Sequence, residues 1–117
     1  MKRQMLVPTL VAGALLTWSA GAARADSLTG EVVDLACYLH DPSEHGAAHR
    51  KCAEVCVKKG MPIGLLTSDK QVYLLLEDHD NQKPYAALKD KAAETVTVEG
   101  EKVSQGGLQG LVVEVLK

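Results

Sequence analysis

Three cysteines and a histidine are the side chains of this sequence whose types and spacing could do chemistry. His49, Cys52 and Cys56 stand in "HRKCAEVC", separated by three, four and seven positions, and Cys37 precedes Cys52 by fifteen. A helix turns about 100° per residue, so side chains three, four and seven apart share one face. Cys37 sits at the end of an adjoining apolar run and can meet that face. Cys37, His49, Cys52 and Cys56 would then form a tetrahedral Cys3His ligand set, which suits zinc. Thiolate-rich sets also suit copper as Cu(I). His40 and His45, in the loop between, are donors in reserve.

The same cysteines support a second chemistry. A small exported domain usually oxidises its cysteines and uses the bond as a staple. Cys52 and Cys56 make poor partners inside a regular helix, so the bond would run from Cys37 to one of them. Closing a loop of about 15 to 20 residues contributes roughly 3 kcal/mol in the chain-entropy model. One thiol would be left over, for a metal, a reactive role or a partner disulfide. Covalent c-type haem is disfavoured, because no Cys-x-x-Cys-His occurs, and the Cys-x-x-x-Cys spacing does not suit a thioredoxin-type redox site. His79 lies in the acidic stretch "EDHDN", which reads as a solvated turn. There is no Gly-x-Ser-x-Gly elbow, phosphate-binding glycine loop or His-Glu-x-x-His, so the chain reads as a binding protein, not an enzyme.

The compartment comes from the N-terminal stretch. "MKRQ" is a positive start, an uncharged and mostly apolar run follows, and "ARA" offers small residues at the two positions that signal cleavage needs. Residues 1–25 therefore read as a signal peptide and 26–117 as one domain, periplasmic or secreted, with no stable membrane insertion after cleavage. Loss of Lys2, Arg3 and Arg24 from thirteen basic residues leaves ten against fifteen acidic ones, a formal net charge of −5. That charge, with no phenylalanine, argues against nucleic acid as a partner. A protein partner stays open, and the oligomeric state is not legible.

The elements that must position the cysteines follow from pattern. "SLTGEVVDLACYL" reads as a first strand ending near Cys37, and "HDPSEHG" as a loop. "AAHRKCAEVCVKKG" reads as a helix with a basic last turn and Gly60 as its left-handed cap. "IGLLT" and "QVYLLLE" have hairpin spacing, "PYAALKDKAAE" is a short helix, "TVTVEGEKV" alternates as a half-buried strand, and "LVVEVL" is the last strand after the turn "SQGGLQG". The fold class is mainly β with short helices. The order predicts a five-stranded OB-like small barrel with an added helix between strands one and two, closure removing exposed edges. An α+β open sheet with both helices on one face is the alternative.

"TGEVVDLACYL", "HRKCAEVCVKKGMPIGLLTSDKQVYLLLED" and "ETVTVEGEKV" together resemble a group of small exported bacterial proteins. These share an Asp-x-x-Cys strand end, a Cys-x-x-x-Cys helix followed by glycine, a Val-Tyr hairpin and a Val-x-Val-x-Gly strand. The resemblance implies an OB-like domain and export, and it implies no activity. Two functions are thus expected in competition. One is an exported binding protein whose Cys/His cluster takes zinc or copper. The other is a metal-free interaction module, its helix pinned by a Cys37 disulfide, that binds a protein or glycan.

Overall fold

The computed structural model of the chain describes residues 13–14 and 25–117. The predicted signal peptide, apart from Gly13, Ala14 and Ala25, lies outside the described residues. No helix among the described residues is long and apolar enough to cross a membrane.

Five strands close into a barrel: β1 (Asp26–Asp34), β2 (Ile63–Thr67), β3 (Val72–Glu77), β4 (Thr95–Gln105) and β5 (Leu108–Leu116). Their order around the barrel is β1-β2-β3-β5-β4, with β4 pairing back onto β1. Neighbours are antiparallel except β3 and β5, which run parallel. This is the predicted OB-like small barrel. The open-sheet alternative fails because β4 bonds to β1 through Asp26–Glu31 and to β5 through Val98–Gln105, so no edge remains there. The β4–β5 connection is tighter than "SQGGLQG" suggests. Gly106 and Gly107 both have positive φ (57° and 83°), a two-residue turn whose twist matches the flanking strands. Both strands therefore run on to Gln105 and from Leu108.

Every strand sends apolar side chains inward: Val32 from β1, Ile63 and Leu65 from β2, Leu75 from β3, Val98 from β4, Leu111 and Val113 from β5. Each fully buried side chain of this size stabilises by about 1.5–3 kcal/mol relative to exposure. Helix α3 (Lys83–Leu88) lies between β3 and β4, with Pro84 in its first turn and Leu88 fully buried. It is shorter than predicted, because Lys89–Glu94 is a run of turns in which Ala93 takes φ +64°.

The β1–β2 connection carries the rest. The first strand ends at Asp34, and Leu35–His40 is a helix, α1, where the sequence predicts a strand continuing to near Cys37. The reason is local. Asp34 is the N-cap, and its Oδ1 accepts from the backbone N–H of Ala36 at 3.0 Å and of Cys37 at 3.4 Å. A 3-10 turn (Ala47–His49) leads into α2 (Arg50–Lys58). The glycine stop is as predicted: Gly60 has φ +92°, Met61 N–H donates to the Cys56 carbonyl and Gly60 N–H to that of Val57. Ala53 and Val57, one turn apart, bury α2 against the barrel.

Candidate metal centre

The packing of α2 decides where its cysteines point. Cys52 and Cys56 each precede a buried residue by one position, so they form a second stripe about 100° around the helix from the Ala53–Val57 stripe. That stripe meets α1, which carries Cys37 one turn in from its cap. The sulfurs of Cys37, Cys52 and Cys56 all lie within 4.8 Å of one another. Zinc–sulfur bonds of about 2.3 Å in a tetrahedron put sulfurs about 3.8 Å apart, so the three are within an ångström of a coordination shell. Cys52 is exposed, and Cys37 and Cys56 are half-buried. All three are free thiols.

A second group shares Cys37. One carboxylate oxygen of Asp34, the Cys37 sulfur and a ring nitrogen of His49 also lie within 4.8 Å of one another. The Cys3His set predicted from spacing is therefore arranged differently in space. His49 is not on the helical stripe. It occupies the N-cap position of α2 (φ −95°, ψ −3°), with its amide donating to the Gly46 carbonyl at 3.1 Å. Asp34, which the ligand prediction lacked, joins it beside Cys37. Its signal was present: an aspartate at a strand end, three residues before a cysteine, is a helix-start pattern.

The loop before α2 is tied down, which fixes His49. Glu31 on β1 accepts from Gly46 N–H at 2.9 Å, and its carboxylate lies 3.7 Å from His45 Nδ1. Tyr38 meets the His45 ring edge-on. His45 is thereby engaged elsewhere, and His40 is exposed and in neither group, so neither reserve donor joins the cluster. His79 is exposed on the β3–α3 turn, where Asp80 N–H donates to Asp78 Oδ1.

His49 Nδ1 is paired with the Glu44 carboxylate. That leaves Nε2, which is buried and without a partner among the described residues. Asp34 is fully buried, its Oδ1 caps α1, and its Oδ2 is likewise without a partner. An unsatisfied buried polar group costs about 1–3 kcal/mol. Two of them lie in one cluster, positioned so that they could hold an ion.

The thiols respond to Asp34. Hydrogen bonding to its carboxylate comes first, then partial burial, then the charges of Asp34, Cys56 and Cys52, and together they push Cys37 up to about 12. Cys56 is raised for the same leading reason, with Cys52 adding to it. The attraction is incomplete, since neither thiol reaches Oδ2 at full hydrogen-bond geometry. Both thiols keep their protons more tightly in the folded state than at the ordinary value of 9.0. Their contribution to stability is therefore complete below pH 9 and is lost as pH rises toward the folded values. Thermal melts of the metal-free, reduced protein are expected to fall in midpoint from pH 9 upward, and Cys37→Ser to flatten that fall. A midpoint that rises over this interval contradicts the assignment.

Fold and site together define a small closed barrel with a buried carboxylate, a buried imidazole and three thiols gathered on its β1–β2 connection. No family model matches the chain, no curated protein matches it, and no solved structure matches it.

Proposed function

We propose that the protein is an exported metal-binding module that takes one thiophilic closed-shell ion, Zn2+ or Cu+, on the cluster around Cys37. The observation that carries this reading is the pair of buried, unpartnered donors, Asp34 Oδ2 and His49 Nε2, beside a cysteine that also belongs to a three-sulfur group. A Cys37 disulfide satisfies neither donor, whereas a cation satisfies both. It also reverses the thiol chemistry, since a coordinated thiol is deprotonated outright despite the Asp34 charge. Glu44 on His49 Nδ1 supports the reading further. A carboxylate there fixes the tautomer and leaves the Nε2 lone pair free, as partners behind metal-bound histidines do. Export is supported by the charge, apolar run and small-residue ending of residues 1–25.

The test is native mass spectrometry of the mature protein, isolated without chelator or reductant and then offered Zn2+ or Cu+. One ion per chain, with three alkylatable thiols after denaturation, is expected. A metal-free chain two hydrogens light, with one alkylatable thiol, would make the connection a stapled interaction module instead.

A further inference from the structure

The two donor groups differ in donor type and in exposure, and they share Cys37, so filling both would require its thiolate to bridge two cations. The inner group is Asp34, Cys37 and His49, one oxygen, one sulfur and one nitrogen. Asp34 is 0% exposed and the His49 side chain 9%. The outer group is Cys37, Cys52 and Cys56, three sulfurs, with Cys52 exposed. Building on the metal-binding reading above, we propose that the cluster is a single cage with two alternative ion positions pivoting on Cys37. Zn2+ takes the inner Asp34–Cys37–His49 set, Cu+ takes the outer Cys37–Cys52–Cys56 set, and each ion excludes the other.

Ligand softness gives the assignment its direction. Thiolates select Cu(I), whereas zinc accepts carboxylate, imidazole and thiolate alike. Charge and burial agree with it. Zn2+ with one carboxylate, one thiolate and a neutral imidazole sums to zero, which a buried position tolerates. Cu+ with three thiolates is a net anion, which belongs at an exposed edge. That edge is on α2, whose Arg50, Lys51 and Lys58, with Lys59 at its end, give an otherwise acidic domain its densest positive charge. The orientation of the inner donors is already fixed without metal, Asp34 through its α1 cap and His49 through Glu44. The outer set includes the exposed Cys52, and a soft ion of low coordination number needs less orientation.

Two variants separate the positions. Asp34→Asn keeps the Oδ1 acceptor that caps α1, and Cys52→Ser changes an exposed side chain. Zinc affinity of the mature protein is measured against a chromophoric chelator, and Cu+ affinity against a Cu+-specific chelator under reductant. Asp34→Asn is expected to weaken zinc by more than the roughly 10–100-fold that loss of an outer-shell partner brings, and not to weaken Cu+. Cys52→Ser is expected to do the reverse. One equivalent of Cu+ should expel zinc from the wild-type protein. X-ray absorption of the unmutated protein, which does not depend on either variant folding, should find one sulfur on zinc and three on copper. Three sulfurs on zinc, equal losses of both ions in both variants, or a stable complex holding both ions overturns the two-position cage and leaves the metal site standing. Failure of the wild-type protein to bind either ion overturns both.

Discussion

Cys37→Ala is expected to remove zinc and Cu+ binding together, which no other single substitution in the cluster should do. The reason is positional. Cys37 is the one residue common to the three-sulfur group and to the group with Asp34 and His49. A structural zinc site is worth about 10–16 kcal/mol at neutral pH. Shared over three donors, each ligand carries on the order of 3–5 kcal/mol, so one lost thiolate weakens binding by roughly a few hundred- to several thousandfold. The fold should survive the change, because the α1 cap uses the backbone N–H of residue 37 and not its side chain. Paired chelator competitions with Zn2+ and Cu+ read the result. Retention of wild-type affinity for either ion would remove Cys37 from its central position and, with it, the coupling between the two donor groups.

Much of the barrel was legible from local pattern. "IGLLT" coincides with β2, and "TVTVEGEKV" starts β4 at Thr95, because alternation and turn residues act over a few positions. "LACYL" was misread because a short apolar run has no period that distinguishes strand from helix. What turns it into α1 is the Asp34 carboxylate, whose cap competes with continued pairing to β2. The cysteines were legible as a cluster, since fifteen residues of connection must fold back on themselves. Their division into two groups was not. It depends on where regular helix begins, and a single 3-10 turn takes His49 out of the three–four–seven stripe. Asp34 was missed for a different reason. Its burial is made by distant residues, the Pro62–Ile63 segment that pairs with the end of β1 and the helix packed above it. An aspartate before an apolar run looks solvated until those segments are in place.

The largest stability effect is expected far from the cysteines, at Gly100. Here β4 changes partners: Thr95–Gly100 pair with β1, and Val98–Gln105 with β5, with a bulge between Glu99 and Gly100. A Cβ on residue 100 would lie 1.8 Å from the Val112 carbonyl oxygen, and both are backbone in a closed ladder, so no rotamer change relieves the contact. Gly100→Ala must part β4 from β5 at the strand that closes the barrel. A loss of about 3–5 kcal/mol is expected, at the severe end for one substitution. For a domain of this size that lowers the melting midpoint by more than about 12 °C. Gly107→Asn is the contrast. It has nothing within 4 Å of a built Cβ, and its φ of +83° is one asparagine tolerates, so a change of a few tenths of a kcal/mol is expected. Equal melts for the two variants would show that the bulge does not govern closure. Gly100→Ala also asks whether the metal cage exists only in the folded chain. An ion at 1,000 times its dissociation constant adds about 4.1 kcal/mol to a state that alone can bind it. That matches the expected loss, so the variant should regain most of its melting midpoint in excess Zn2+ or Cu+. Gly100→Ala carrying Cys37→Ala as well should regain none.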